Sequence, residues 1–183
     1  MRRVLVLDAR ELARVLERMA AEVLEKVPDE RKLYLVGIQT RGVPLARRLA
    51  RLVGQRSGFQ PEVGALDITL YRDDVGAWRP AHQQPVLRAT HLPKPVDDMA
   101  VCLVDDVLYT GRTVRAALDT LMDYGRPRLI RLAVLVDRGH RELPIAADVV
   151  GRVIPSARVE DVQVRLSESD GEEGIWILKE DEA

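Results

Sequence analysis

The sequence predicts an α/β fold in which a mostly parallel, twisted sheet carries helices on both faces. Short apolar runs of β type begin near residues 33, 101 and 129, and amphipathic segments with helical spacing separate them. This alternation is typical of parallel sheets. Ligand-binding loops are then expected at the carboxyl ends of the strands. The length of 183 residues suits one domain with a sizeable core, and no repeat or linker divides the chain 1–183.

The elements follow from local signals. Asp8 and Glu11 form a capping-box pattern at the start of the first helix, and Pro28 stops it. Pro44 suits the first turn of the second helix. The predicted order is an edge strand at 4–7, a helix from 8 to about 27, a strand at 33–37, a helix at 43–52, a strand at 63–71, a strand at 101–104, a helix at 114–122 and a strand at 129–137.

The segment VCLVDDVLYTGRT, residues 101–113, carries the strongest functional signal. An apolar strand run meets Asp105 and Asp106, which are predicted to end it, and a turn with Thr110 and Thr113 opens the next helix. Backbone N–H groups, the helix dipole and two hydroxyls at such a turn suit a phosphate monoester. Adjacent carboxylates accept hydrogen bonds from vicinal hydroxyls. Ribose 5-phosphate offers both kinds of group.

This composite resembles the phosphoribosyl pyrophosphate (PRPP) motif of type I phosphoribosyltransferases. The alternatives are an acidic pocket like that of a receiver domain and an ordinary βα turn capped by Asp residues, neither of which needs the threonine-glycine loop. The resemblance implies the type I phosphoribosyltransferase fold, with the acid pair on the ribose hydroxyls. The implied PRPP-contacting residues are Asp105, Asp106, Val107, Leu108, Tyr109, Thr110, Gly111, Arg112 and Thr113.

A second candidate anion loop follows the strand at 33–37. Backbone amides, the Thr40 hydroxyl and the Arg41 guanidinium could converge there, and Gly42 would allow close approach of a ligand. Taken alone, the loop also fits an ordinary βα turn with a solvated arginine. Its position corresponds to the pyrophosphate loop of the family.

The segment 72–95 is a long, polar, proline-containing excursion. Loops of this length in compact domains are uncommon unless they serve as lids or are disordered. The family resemblance implies a flexible lid over PRPP, with Arg72 as a candidate catalytic cation, and a surface Ω-loop is the alternative. His82 and His91 are better explained as solvated loop residues than as metal ligands or catalysts.

Composition limits the function classes. The 28 basic and 29 acidic residues nearly cancel, so a nucleic-acid site must be a local patch. Cys102 is the sole cysteine, which excludes a disulfide framework and favours a buried structural thiol. No apolar stretch approaches the roughly 20 residues that span a bilayer, and the N-terminus lacks the apolar segment of a signal peptide. We therefore expect a cytoplasmic protein with no membrane partner.

Four segments sharpen the resemblance to the PyrR family, bifunctional regulators of pyr operon attenuation and uracil phosphoribosyltransferases. RGHRELP is the most discriminating, because general PRPP motifs do not carry it. The similarity extends from residue 4 to about 151 and is looser beyond. The segments are LDITLYRDD at 66–74, VDDVLYTGRTVRAALD at 104–119, GRP at 125–127 and LAVLVDRGHRELPI at 132–145.

The PyrR resemblance implies transfer of phosphoribosyl from PRPP to uracil, giving UMP and pyrophosphate. Mg²⁺ would be held mainly through substrate oxygens, without a dedicated protein cage. Uracil would lie near Arg138 and Val162, whose alternative roles are a solvated loop arginine and a core valine. N- and C-terminal segments would form a small hood. A phosphoribosyltransferase without RNA regulation, or one acting on a purine base, is the alternative function.

The resemblance also implies a homodimer or higher oligomer that binds a hairpin of the pyr messenger under control of uridine nucleotides. The implied phosphate contacts are Arg18, Lys26, Arg141 and Arg152. Solvated surface charges are the alternative reading of these residues. Glu17, Ala21 and Ala146 stand where relatives carry hydroxyl or basic side chains, so we expect weaker RNA binding than is typical of the family.

Overall fold

The computed structural model describes residues 2–71 and 89–179, which form two sheets and their flanking helices. The elements in chain order are β1 (Arg2–Leu7), α1 (Ala9–Glu25), a 3₁₀ turn (Glu30–Lys32), β2 (Leu33–Ile38), α2 (Gly42–Ser57), β3 (Glu62–Leu66), β4 (Ala100–Leu108), α3 (Arg112–Met122), β5 (Leu129–Asp137), β6 (Val149–Val153), β7 (Asp161–Arg165), α4 (Ser167–Asp170) and β8 (Gly174–Lys179).

The large sheet is parallel, with strand order β3-β2-β4-β5-β6. The predicted parallel α/β architecture is confirmed. Strand β4 is central, and its register pairs Gly37 of β2 with Val104, and Leu108 with Asp137 of β5. Because parallel strands end at the same edge of a sheet, this register brings the loops after β2, β4 and β5 together.

Two apolar layers cover the large sheet. Cys102 and Val104 of β4 point into a core shared with α1, α2 and the small sheet. Val101 and Leu103 point to the opposite face, into a core shared with α3. This alternation within one strand is the period of two expected for a sheet buried on both sides. The buried cysteine lies where the sequence predicts a structural thiol.

The small sheet is antiparallel, with order β1-β8-β7, and it joins the two ends of the chain. Arg2 pairs with Lys179, and Val162 of β7 pairs with Ile177 of β8. Leu7 of β1 packs into the same core as α1 and α2. These N- and C-terminal strands are the segments that the sequence assigns to a hood.

Helix α1 begins at the predicted capping box. Asp8 accepts a hydrogen bond from the Glu11 N–H at 2.8 Å, and the Glu11 carboxylate accepts one from the Asp8 N–H at 3.0 Å. Two backbone donors at the N-terminus are thereby satisfied. The helix ends at Glu25, with Lys26 as its C-cap, slightly before the predicted end. None of the helices within 2–71 and 89–179 is long and apolar enough to cross a membrane.

The largest differences from the predicted element boundaries are in α2, β3 and β4. Helix α2 continues to Ser57 and stops at Gly58, which adopts the left-handed conformation of a C-cap. Strand β3 ends at Leu66, because the next residue, Asp67, turns the chain by accepting hydrogen bonds from Thr69. Strand β4 does not end at the acid pair but continues to Leu108. The predicted lid falls largely on 72–88, outside the described residues, as does Arg72.

Candidate active site

The acid pair lies near the carboxyl end of the central strand. Asp105 is buried, with 6% of its surface exposed, and its carboxylate accepts a hydrogen bond from the Asp106 N–H at 2.9 Å. The Asp106 carboxylate accepts one from the Val107 N–H at 2.9 Å. Burial raises the pKa of Asp106, and its interactions with Asp105 and Arg41 only partly offset that effect. The pair is thus a partly desolvated acceptor site.

The loop between β2 and α2 lies directly against this pair. A Cβ atom on Gly42 would be 2.2 Å from the carbonyl oxygen of Val104, so only glycine fits there without a shift. A Cβ on Gly37 would be 2.4 Å from the Val43 Cα, so the loop folds back tightly on its own strand. The Gln39–Thr40 peptide bond in this loop is cis. Arg41, the residue before α2, interacts electrostatically with the negative charge of Asp106.

The threonine-glycine loop forms the entry to α3. Gly111 is the N-cap, with φ of 93°, a left-handed conformation that favours glycine. The Arg112 N–H donates to the Thr110 hydroxyl at 3.3 Å. The first backbone amides of α3 therefore lie directly after this loop. A helix N-terminus of this kind is suited to binding an anion.

The RGHREL stretch supports the threonine-glycine loop from outside. The N–H groups of Glu142 and Leu143 donate to the Thr110 carbonyl at 2.9 and 3.1 Å. The Arg112 guanidinium pairs with the Glu142 carboxylate at 2.7 Å. This second segment therefore fixes the shape of the first.

Comparison with known proteins identifies the family. A model of the phosphoribosyl transferase domain matches residues 5–168. A bifunctional protein PyrR from Pelotomaculum thermopropionicum is 56% identical over 95% of this chain and 94% of the relative. The bifunctional protein PyrR of Thermus thermophilus is 51% identical over 97% of each chain. The chain belongs to the PyrR family of phosphoribosyltransferases. The predicted family and the predicted class of enzyme, a phosphoribosyltransferase, are confirmed.

Solved structures support the type I fold of this PyrR family member. A hypoxanthine-guanine phosphoribosyltransferase from Bacillus anthracis has a TM-score of 0.73 and 15% identity, covering 96% of this chain and 98% of that one. A hypoxanthine phosphoribosyltransferase from Trypanosoma cruzi has a TM-score of 0.71 and 16% identity, covering 97% of each chain. At these identities the likeness concerns the fold alone, and the predicted fold class is confirmed.

Arg138, a predicted base-binding residue, is buried and has protein partners for its guanidinium. It donates to the Ser156 hydroxyl at 3.1 Å, and to the Ala157 and Glu160 carbonyls at 2.9 and 2.6 Å. The guanidinium also lies 4.3 Å from the ring centre of Tyr109. These contacts join Tyr109, next to the threonine-glycine loop, to the segment 156–160. A role for Arg138 in binding uracil stays a prediction.

The other predicted base residue, Val162, is a core valine of β7 with 6% of its surface exposed. It belongs to the same apolar core as residues of α1 and α2, and it pairs with Ile177 of β8. Its predicted contact with the base also stays a prediction. His91, which the sequence assigns to a solvated loop, forms a β bridge in which its backbone exchanges two hydrogen bonds of 2.8 Å with Ala65.

The four predicted RNA contacts differ in their surroundings. Arg152 is exposed on β6, and Lys26 is exposed at the end of α1. Arg18 of α1 donates to the carbonyls of Val150 and Gly151 on β6 and pairs with a glutamate of its own helix. Arg18 of helix α1 therefore contacts strand β6, the strand that carries Arg152.

Arg141 is enclosed by the loops of the site. Its guanidinium donates to the Tyr109 carbonyl at 2.9 Å, the Ile145 carbonyl at 3.0 Å and the Asp137 carboxylate at 2.5 Å. Burial raises the pKa of Asp137, but the hydrogen bonds from Arg141 and the Gly139 N–H outweigh it, so that the net pKa is lowered. Arg141 therefore supports the chain at the start of the threonine-glycine loop.

Sequence reasoning did not identify Asp170. Its carboxylate receives two hydrogen bonds from Arg41, at 3.1 and 2.7 Å, although 129 positions separate the two residues. The available signal was a cluster of acids in ESDGEE, residues 168–173, facing a chain rich in arginine. Acidic clusters are usually solvated, so this signal alone does not select a partner.

Proposed function

We propose that this PyrR family member transfers the phosphoribosyl group of PRPP to uracil, releasing pyrophosphate and forming UMP. One observation carries the proposal: the acid pair, the Thr40–Gly42 loop and the threonine-glycine loop lie together at one edge of the parallel sheet. The acid pair offers hydrogen-bond acceptors, and the two loops offer donors. PRPP has matching parts: vicinal hydroxyls for the acceptors, and a pyrophosphate and a 5-phosphate for the donors.

In this proposal each loop fixes one part of PRPP. Asp105 and Asp106 accept hydrogen bonds from the ribose hydroxyls, and the amides at the start of α3 bind the 5-phosphate. Arg41 binds the pyrophosphate. As the bond from the anomeric carbon to pyrophosphate breaks, the leaving group keeps the bonding electron pair, and N1 of uracil bonds to that carbon and releases its proton to solvent. Positive charge develops on the ribose and negative charge on the leaving group, so fixed geometry and charge neutralisation suffice without a covalent nucleophile.

Mg²⁺ fits this site as a partner of the substrate. Among the residues that the structure describes, no group of three or more His, Cys, Asp or Glu side chains is placed to hold a metal ion. Asp105 and Asp106 offer the oxygen ligands that Mg²⁺ prefers, and substrate phosphates complete such sites in many enzymes. Bound Mg²⁺ would neutralise charge on the pyrophosphate and ribose oxygens.

The experiment is direct. Purified protein is incubated with uracil, PRPP and Mg²⁺, and UMP and pyrophosphate are quantified by chromatography. Formation of both products in equal amounts supports the proposal. Hypoxanthine and guanine replace uracil in parallel reactions, and a higher kcat/KM for either purine would overturn the assignment of uracil as the substrate.

We also propose that the chain regulates pyr transcription by binding the leader hairpin, with uridine nucleotides in the shared pocket strengthening the complex. The exposed Arg152 on β6 and Arg18 on α1, which contacts β6, support this role because both are suited to phosphate contacts. Oligomer formation and a cytoplasmic location remain predictions that accompany the regulatory role.

A gel-shift titration against the pyr leader hairpin, with and without UMP, tests the regulatory role. Replacing Arg152 by alanine should weaken binding and lower the salt slope by about one unit, the value expected for one lost phosphate contact. Arg56, exposed at the end of α2, provides a matched control, and its alanine variant should bind like the wild type. Ala146→Arg should increase affinity. Equal affinity for a scrambled hairpin would leave the enzyme role alone.

A further inference from the structure

The C-terminal segment supplies carboxylates to two arginines of the α2 region. Asp170 pairs with Arg41, in the loop before α2, through two hydrogen bonds. Arg48, in the body of α2, pairs with Glu168 at 2.6 Å and Glu173 at 2.7 Å. Of these two arginines, only Arg41 belongs to the proposed PRPP site. The pair therefore links the segment after β7 to the substrate loops.

The Arg41–Asp170 pair has the geometry of a fixed fork. The Arg41 Nε donates to one carboxylate oxygen at 3.1 Å and Nη2 donates to the other at 2.7 Å. The Asp170 carboxylate also accepts the Leu166 N–H at 2.9 Å, so it is itself held in place. Only 12% of its side chain is exposed. The hydrogen bonds from Arg41 lower the pKa of Asp170, which is therefore ionised at neutral pH.

Arg41 has two carboxylates nearby, those of Asp170 and Asp106, and it pairs with Asp170. Asp106 lies close enough to act electrostatically on Arg41, and it is the carboxylate that the proposed function assigns to a ribose hydroxyl. An unrestrained arginine has many rotamers, and pairing with Asp106 would block that acceptor. A guanidinium has five N–H donors, so the two bonds to Asp170 leave three for another anion.

We propose that Asp170 is a positioning residue that orients Arg41 toward the pyrophosphate of PRPP and keeps it from pairing with Asp106. The inference rests on the proposed function. Asp170 touches no substrate in this arrangement and acts through Arg41. The carboxylate directs one edge of the guanidinium into the protein, so the other edge faces the leaving group.

Asp170→Asn is the principal test. It keeps the size of the side chain and an acceptor for the Leu166 N–H, but it removes the charge and turns one acceptor toward Arg41 into a donor. We expect KM for PRPP to rise about tenfold, the size of one lost charge-assisted hydrogen bond. KM for uracil and kcat should stay within about twofold, because orientation of Arg41 is needed to bind PRPP.

Glu168→Gln is the matched control, since it removes a carboxylate from the same segment but from the partner of Arg48. It should leave KM for PRPP unchanged. A double-mutant cycle then tests whether Asp170 acts through Arg41. If it does, adding Asp170→Asn to Arg41→Met should leave KM for PRPP unchanged. Arg41→Lys keeps the charge without the fork and should match Asp170→Asn, which covers the case in which Asp170→Asn melts at a much lower temperature.

The outcomes are distinct. An unchanged or lowered KM for PRPP in Asp170→Asn, or additive effects in the double variant, would overturn the positioning role. If the wild type fails to convert uracil, the proposed function falls, and calorimetric titration of PRPP with Mg²⁺ still tests the inference: Asp170→Asn should weaken PRPP binding about tenfold, and equal binding to both proteins would overturn it.

Discussion

Replacing Gly42 by alanine should move the Thr40–Gly42 loop away from the acid pair, Asp105 and Asp106. The new Cβ atom would lie 2.2 Å from the carbonyl oxygen of Val104 and 3.4 Å from the Cα of Asp105. A normal carbon–oxygen contact needs about 3.3 Å, so the start of α2 must retreat by about 1 Å. Both neighbours are backbone atoms of the central strand, and no side-chain rotation relieves the clash. The change acts through contact, because Gly42 is not among the glycines with positive φ.

The expected cost follows from that displacement. A misplacement of about 1 Å in a substrate-positioning element can reduce kcat/KM by about a hundredfold. Overpacking of this kind also destabilises by about 1–3 kcal/mol. We therefore predict that Gly42→Ala remains folded, melts at a lower temperature and loses most of its activity with PRPP.

Steady-state kinetics with PRPP varied, together with thermal melting, tests this prediction. Gly54→Ala is the control within the same helix, because its Cβ would meet the Cβ and Cα of Gln60 at 3.1 and 3.2 Å, milder contacts that are remote from the site. We expect its kcat/KM to stay within about threefold of the wild type. Wild-type kcat/KM in Gly42→Ala would refute the reasoning, and equal losses in both variants would indicate a general effect on α2.

Further outcomes follow from the acid pair and from Arg138. Asp105→Asn with Asp106→Asn should raise KM for PRPP and lower kcat while the protein stays folded, and unchanged kinetics would contradict the ribose assignment. Because burial raises the folded-state pKa of Asp106 above its ordinary 3.8, the folded protein binds that proton more tightly, and this group adds stability as the pH falls. In a pH–rate profile, activity should therefore decline as the pH falls, with the midpoint of this decline above pH 3.8. A midpoint at or below pH 3.8 would contradict the assignment. Arg138→Met should lower the free energy of unfolding in urea by about 3 kcal/mol, against about 0.5 kcal/mol or less for exposed Arg152→Met, and similar values would show that the network around Arg138 contributes little.

The sequence predicts the threonine-glycine loop at the entry to α3 because its signals are local. A strand run, two acids and a threonine-glycine turn within 101–113 leave few alternatives for that stretch. The predicted strand end was wrong for a reason that lies outside the segment. Val107 and Leu108 pair with Val136 and Asp137 of β5, so the ladder extends past the acid pair. Local polarity does not reveal whether a neighbouring strand offers partners.

Partners of arginine are harder to predict than loops. In the sequence Arg41 and Arg138 each fit a solvated loop arginine, since nothing within a few positions pairs with them. In the structure Arg41 meets Asp170, which is 129 positions away, and Arg138 meets the Glu160 carbonyl, which is 22 positions away. Such pairs depend on how the C-terminal segment closes over α2 and β5. Their residue types were visible, but the topology that joins them was not.

The enclosed position of Arg141 bears on how catalysis and RNA binding can be separated. A cation already paired with Asp137 and bonded to the carbonyl of Tyr109 has few donors left for a phosphate. Removing it would also loosen the phosphate loop, so a loss of RNA binding in such a variant would not identify a contact. In the part of the chain that the structure describes, Arg152 forms no hydrogen bond or ion pair with this loop, and it is exposed. The proposed RNA-binding surface is therefore best probed at β6, where a change in RNA affinity can be measured at constant enzymatic activity.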